Sequence, residues 1–156
     1  MVPYKIFAIN PGSTSTKIAL FEGNQPVFSS NVAHDAVVLR QNRAISGQFD
    51  YRKETILEEV EKAGVSLEGV DAFSARGGGL VSVEGGVYVV NDKLLEHARA
   101  GFSVKHPAML GAQLADAFSK TYGGNAYVVN PPDVDEFSDL ARVTGWKGVY
   151  RESRIH

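Results

Sequence analysis

The sequence predicts an α/β domain built on a mixed sheet, with an opening antiparallel meander and flanking helices. Two observations support this fold class. Three short β-rich runs come first, over residues 4–9, 17–21 and 27–32, and polar turns join them. From residue 50 the apolar residues recur at helical spacing, and helices then alternate with strands to residue 129. Tight turns join antiparallel strands and helices connect parallel ones, so one sheet contains both kinds of pairing.

Turn residues separate the strands. The polar stretch over residues 10–16 lies between the first two strands, and Asn24 and Pro26 form the turn before the third. Further strands are predicted over residues 70–74, 87–90 and 126–129. Pro131 and Pro132 end the last of them, because proline cannot donate to a strand ladder.

The spacing of apolar residues predicts three helices. Over residues 50–64 an apolar face repeats at helical spacing, and Gly64 follows the helix end. A longer helix covers residues 107–122, where Pro107 suits the first turn and Gly123 ends the helix. Its apolar stripe consists of Leu110, Leu114 and Phe118. Residues 35–45 are predicted to form the third helix.

Composition limits the possible functions. The chain has 156 residues, 44% of them hydrophobic and 22% charged, which suits one globular domain. A net charge of -2 argues against nucleic-acid binding, which needs a surplus of Lys and Arg. No apolar run is long enough for a membrane span, and the first residues lack the apolar segment of a signal peptide. The chain contains no cysteine, which excludes disulfides, and these features predict a cytoplasmic protein.

The segment over residues 10–17, NPGSTSTK, has the chemistry of a phosphate cradle. Four consecutive hydroxyl residues follow a glycine at a strand turn, and Lys17 adds a compact positive charge. It is not the nucleotide-binding P-loop, because a strand follows it and no glycine precedes the lysine. The alternative interpretation is a polar β-turn, in which these residue types are common.

Three further segments carry candidate binding groups. Arg76 precedes three glycines at a predicted strand end, so its side chain could bind a carboxylate or phosphate, although a flexible loop is the alternative. His106 precedes the long helix, where it could donate to an oxyanion or serve as a local cap. The acidic loop over residues 130–136 follows a strand and could hold Mg²⁺, or could be solvated surface.

The order of these segments resembles that of the butyrate kinases, a branch of the acetate kinase family. The hairpin NPGSTSTK, ARGG, the helix start HPAMLGA, the loop VNPPDVDE and the final RESRIH carry the resemblance over essentially the whole chain. It implies a ribonuclease-H-like lobe of the actin-like superfamily. It also implies an enzyme that transfers phosphate between ATP and butyrate or a branched short-chain acid, with Mg²⁺. Such enzymes are expected to be homo-oligomers.

The same resemblance implies roles for individual residues. The phosphate would be bound by Asn10, Ser13, Ser15 and Lys17. Arg76 would bind the substrate carboxylate or the developing phosphoryl charge, and His106 and His156 would stabilise the transition state. Gly78 and Ile155 would belong to the substrate pocket. Acetate kinases typically carry valine where this chain has Gly78, so a wider acyl pocket is expected.

Two features depart from the family pattern. The family usually has aspartate where this chain has Asn130, in a position associated with catalysis and Mg²⁺, and Asp133 is the candidate replacement as a metal ligand. The family enzymes also continue into a second, nucleotide-binding domain. We therefore interpret residues 1–156 as the N-terminal domain of a two-domain carboxylate kinase, inactive by itself. The alternatives are a naturally short protein that binds phosphate or carboxylate without catalysis, and an interaction module on the same scaffold.

Overall fold

A mixed six-stranded sheet organises the chain. The computed structural model describes residues 2–42 and 44–154, and within them the strand order is β3-β2-β1-β4-β6-β5. The strands are β1 (Lys5–Pro11), β2 (Ser15–Glu22), β3 (Gln25–Ala33), β4 (Ala72–Ala75), β5 (Val87–Val89) and β6 (Asn125–Val129). The first three strands pair antiparallel, β4 runs parallel to both β1 and β6, and β5 is antiparallel to β6. The predicted mixed sheet with an opening meander is confirmed.

Helices connect the later strands. They are α1 (Ala36–Gln41), α2 (Phe49–Lys62), α3 (Asp92–Ala100), α4 (Leu110–Tyr122) and α5 (Asp139–Arg142). Short 3-10 turns, Ile45–Gln48 and Pro107–Met109, lead directly into α2 and α4. In the part of the chain that the structure describes, no helix has both the length and the apolar character that crossing a membrane requires.

Some elements differ from the prediction. The sequence analysis missed α3, whose nine residues contain only a short apolar repeat; Asn91 caps it by accepting from the Leu94 N–H at 2.9 Å. The helix predicted over residues 35–45 is shorter, because α1 ends before Asn42. Pro26 lies inside β3 and not in the turn, which is possible because β3 is an edge strand.

The main core lies between one face of the sheet and the helices α2 and α4. Phe7, Phe73 and Phe118 meet there with ring centroids 6.0–6.1 Å apart. Side chains alternate along a strand, so the residues of β1 that flank Phe7 and Ile9 point to the opposite face. That alternation places Asn10 on the face that the core helices leave uncovered.

Candidate functional site

The β1–β2 hairpin ends in the tip that the sequence analysis singled out. Strand pairing closes with Pro11 opposite Thr16, which leaves residues 12–15 as the tip, and the Gly12 N–H donates to the Ser15 carbonyl at 2.7 Å. Ser13 is exposed, Ser15 is half-buried at the start of β2, and Lys17 is exposed on the uncovered face. In residues 2–42 and 44–154, the N–H groups of Ser13 and Thr14 donate to no protein acceptor. Two backbone donors are therefore available to a ligand.

A cavity of about 670 Å³ opens beside this hairpin. Asn10, Lys17 and Arg76 line it, from the end of β1, from β2 and from the residue after β4. Their convergence follows from the sheet: β4 runs parallel to β1, and the Arg76 N–H donates to the Ile9 carbonyl at 3.3 Å, which places Arg76 next to Asn10. The rest of the lining mixes small polar and apolar side chains, among them Ala8, Ala19, Phe21, Ser29, Asn31 and Ser74.

His106 connects the helix start to the hairpin tip. Its Nδ1 accepts from the Ala108 N–H at 3.1 Å, which is the local cap that the sequence left open as an alternative. Because Nδ1 accepts, the neutral ring carries its proton on Nε2, which lies 3.5 Å from the Ser13 Oγ. The ring is exposed, so an anion at the hairpin tip could replace the Ser13 hydroxyl as the acceptor of this N–H. Capping and anion binding are thus compatible.

Glycines let the loop after Arg76 pack closely on its neighbours. Gly77, Gly78 and Gly79 have φ values of +70°, +147° and +73°. A Cβ at Gly78 would lie 3.0 Å from the Ala108 Cβ, and Gly78 is buried. A side chain added at Gly78 would meet the helix start, so close packing is one reason for this glycine, and the wider acyl pocket stays a prediction. Backbone conformation and packing require glycine here.

Behind the hairpin tip lies a buried polar network that the sequence analysis missed. Arg52 of α2 is fully buried, and its Nη1 donates to the Gly12 carbonyl at 2.9 Å while its Nη2 donates to the Ser13 carbonyl at 3.1 Å. A signal was present in the sequence, because Arg52 precedes the buried Ile56 and Val60 at four-residue spacing and so lies on the apolar face of the helix.

Comparison with known proteins relates this geometry to an enzyme family. The chain is 39% identical to butyrate kinase 2 of Clostridium acetobutylicum over 153 residues, which cover 98% of the chain and 43% of that enzyme. The chain is a homologue of butyrate kinase. It spans less than half the length of this relative. No family model matches it.

A solved structure supports the fold. The acetate kinase of Entamoeba histolytica aligns with a TM-score of 0.52 at 14% identity, over 92% of this chain and 39% of that one. At this identity the likeness concerns the fold alone, and it agrees with the α/β fold class that the sequence predicted. The sequence relationship and the fold agree, because the sequence resemblance implies that butyrate kinases share the architecture of acetate kinases.

Asn130 is the first departure from the butyrate kinase pattern. Its backbone has φ +41°, a left-handed conformation that asparagine tolerates better than most residues. Its Oδ1 accepts from the Gly86 N–H at 2.8 Å, and its own N–H donates to the Gly86 carbonyl at 3.0 Å. Val129 lines the cavity but the side chain of Asn130 is bound to the neighbouring loop. The structure thus gives Asn130 a local role at the end of β6.

Asp133 has a structural environment. Its carboxylate is buried and accepts from the Leu80 N–H at 3.1 Å, from the Ser103 hydroxyl, and from Arg154 Nη1 at 3.1 Å. Within the described residues, no group of three or more His, Cys, Asp or Glu could hold a metal ion. The carboxylate therefore joins three segments of the chain, and its role as a metal ligand stays a prediction that this geometry does not support. The predicted site residues Ile155 and His156 lie outside the described residues.

Proposed function

We propose that this chain supplies one lobe of an ATP-dependent carboxylate kinase of the butyrate kinase type. The observation that carries the proposal is the cavity in which Asn10, Lys17 and Arg76 meet beside the hairpin tip. Homology to butyrate kinase 2 supports butyrate or a similar short-chain acid as the substrate and ATP as the phosphate donor. The chain matches 43% of that relative, so the complete activity belongs to the longer protein.

The reaction needs cations and donors because both reactants are anions. A carboxylate oxygen attacks the γ-phosphorus of ATP, a C–O–P linkage forms, and the bond to ADP breaks as ADP leaves with the electron pair. Arg76 would bind the carboxylate through two parallel N–H bonds, and Lys17 would lie against the transferred phosphate. The Ser13 and Thr14 N–H groups and the His106 Nε2–H would donate to phosphoryl oxygens.

Mg²⁺ has a limited place in this proposal. Arg154 and two further donors already occupy the Asp133 carboxylate, and Asn130 carries no charge. The described residues therefore do not form a metal cage. Mg²⁺ binds phosphate oxygens and water readily, so ATP itself and the rest of the enzyme would hold the ion. No step assigned here to residues of this chain depends on the ion.

A second candidate function is anion binding without catalysis. Asn130 favours it, because an amide replaces the carboxylate that the family uses, and its side chain is bound to Gly86. Both candidates need the cavity to bind phosphate or carboxylate. They differ in turnover: a longer protein that contains this chain would convert substrate if the chain is part of a kinase, and would not if it only binds anions.

Phosphate binding by the 156-residue chain tests the site directly. We expect isothermal titration with inorganic phosphate to detect weak binding that falls as NaCl is raised, because exposed charges are screened by salt. Lys17→Ala should weaken binding about tenfold, since it removes a charge-assisted contact. Lys93→Ala is the matched control, because Lys93 is an exposed lysine of α3 paired with Glu96 and remote from the hairpin. Equal affinity of the wild-type chain and Lys17→Ala would contradict the proposed site.

A further inference from the structure

Arg52 is a buried guanidinium whose N–H donors all go to neutral acceptors. Nη1 donates to the Gly12 carbonyl and to Thr16 Oγ1, the latter at 3.2 Å, and Nη2 donates to the Ser13 carbonyl. The remaining donors, Nε and the second hydrogen of Nη2, go to Gln48 Oε1 at 3.2 and 3.1 Å. All five donors of the side chain are satisfied, so hydrogen bonding alone explains its geometry.

Within the part of the chain that the structure describes, the charge of Arg52 has no partner of opposite sign. None of the ion pairs formed within residues 2–42 and 44–154 includes Arg52. Burial lowers the pKa of Arg52 below its ordinary value, as expected for a cation removed from water without an anion beside it. An isolated buried charge is costly, and proteins normally pair it. Arg52 contacts the backbone of the hairpin tip, so a ligand bound at the tip could supply negative charge.

The same contacts orient the hairpin backbone. In a trans peptide the C=O and the following N–H point in opposite directions. Arg52 holds the Gly12 and Ser13 carbonyls inward, and the His34 N–H holds the Thr14 carbonyl at 2.9 Å. The Ser13 and Thr14 N–H groups, which share peptides with the first two carbonyls, therefore point away from the protein interior.

We infer that Arg52 is a positioning residue of the anion site: it directs two hairpin N–H groups toward the ligand, and the bound anion is its countercharge. The inference rests on the proposed function, because it needs an anion at the hairpin tip. It adds a role for a residue that touches neither phosphate nor carboxylate. It also explains why a charged residue occupies the apolar face of α2, where a neutral side chain would cost less to bury.

Two substitutions separate charge from simple support. Arg52→Lys keeps the positive charge and N–H donors for the hairpin carbonyls, although it loses the planar fork, whereas Arg52→Gln loses the charge but keeps an amide donor. We expect Arg52→Lys to keep phosphate affinity within about threefold and Arg52→Gln to lose about tenfold or more, because only the second removes the attraction between the two charges. Lys53→Gln is the control, since it removes the neighbouring surface charge of the same helix, which pairs with Asp50 at 3.9 Å.

Urea unfolding of each variant in phosphate-free buffer accompanies the titrations. If Arg52 only supports the hairpin, phosphate affinity should follow stability across the two variants; if it supplies the charge that attracts the anion, affinity should follow charge.

Arg52→Gln binding as well as wild type, or Arg52→Lys losing as much affinity as Arg52→Gln, would overturn the inference and leave the proposed function standing. Should Arg52→Gln not fold, a loss above about tenfold in Arg52→Lys overturns it. A wild-type chain that binds no phosphate would overturn both.

Discussion

At the scale of single residues, His34 is a buried imidazole that must stay neutral. Its Nε2 lies 2.8 Å from Thr16 Oγ1 and its Nδ1 lies 3.4 Å from Thr55 Oγ1. The ring packs edge-on against Tyr51, 5.5 Å between centroids. Burial, and secondly the charge of Arg52, lower the pKa of His34 to about 4. Protonation of His34 would place a second cation beside the guanidinium that holds the hairpin.

This environment predicts a loss of stability in mild acid. The pKa of His34 is lower in the folded chain than the value of 6.5 in the unfolded chain. As the pH falls, the unfolded state therefore binds the proton first. The stabilisation that the neutral ring contributes is complete above about pH 6.5 and is lost as the pH falls toward 4. Because of His34, we expect the free energy of unfolding to fall by about 2 kcal/mol between pH 7 and pH 4.5. Urea unfolding at both pH values measures it.

The matched variants isolate this one group from the carboxylates that titrate nearby. His34→Gln should lose stability at pH 7 but should show a smaller drop on acidification than the wild-type chain. His97→Gln should keep the wild-type drop, because His97 is a half-buried ring of α3 that contacts Phe102, away from the hairpin. An identical pH dependence in the wild-type chain and His34→Gln would contradict the prediction.

At the scale of elements, glycines determine how close the Arg76 loop lies to the sheet and to α4. A Cβ at Gly77 would lie 2.6 Å from the Val128 Cγ1, and a Cβ at Gly111 of α4 would lie 3.0 Å from the Gly77 nitrogen. The helix therefore approaches the loop backbone to backbone, and the loop lies directly against the Val128 side chain of β6. That contact fixes the end of β4, from which Arg76 reaches the cavity.

Gly77→Ala and Gly64→Ala form a matched pair for this contact. Both glycines have nearly the same left-handed φ, +70° and +67°, but a Cβ at Gly64 would meet nothing within 4 Å. Gly64→Ala should therefore cost only the backbone strain, about 1–2 kcal/mol. Gly77→Ala should cost a further 1–3 kcal/mol or so, because the methyl group overpacks against Val128. Urea unfolding compares the two losses in free energy of unfolding. Equal losses would contradict the prediction, because they would show that the Val128 side chain moves aside without loss of stability.

At the scale of the whole molecule, the cavity lies on an uncovered face of the sheet. Asn10, Lys17 and Arg76 line it there, and both Asn10 and Lys17 are exposed. An open site admits water and screens its charges, so binding should be weak and salt-sensitive. Phosphoryl transfer to a carboxylate requires the two reactants to be held in line and shielded from water. Under the proposed function, this chain would provide the anion contacts but not the enclosure.

We therefore predict no kinase activity from the 156 residues alone. With ATP, Mg²⁺ and butyrate, the purified chain should form no butyryl phosphate above a heat-treated control, measured by trapping the acyl phosphate with hydroxylamine. The physical reason is that the cavity lies open beside exposed residues, so these residues alone would neither hold the two reactants in line nor exclude water. Formation of acyl phosphate at a rate that Lys17→Ala abolishes would contradict this prediction and would place the whole reaction in this chain.

Local sequence determined the elements and their order. The strand-turn-strand of residues 4–21, the apolar stripe of α4 and the glycine stop at Gly123 were all predictable, because periodicity and turn chemistry depend on neighbours in the chain. The ordered motifs also identified the butyrate kinase relationship, which the homology confirms. Short elements escaped prediction: α3, at nine residues, has too few apolar positions to define a period.

Tertiary structure decided which of the candidate residues meet. Arg76 lies beside Asn10 only because β4 pairs in parallel with β1 across sixty or so residues of intervening chain, a register that no local pattern encodes. The spacing along α2 places Arg52 on the apolar face, but its partners Gly12 and Ser13 are not predictable from it, because they lie about forty residues earlier. The packed structure also gives Gly78 a reason that local sequence does not show, the close approach of Ala108. In each case the deciding atom comes from a distant segment, and only the packed sheet brings it within reach.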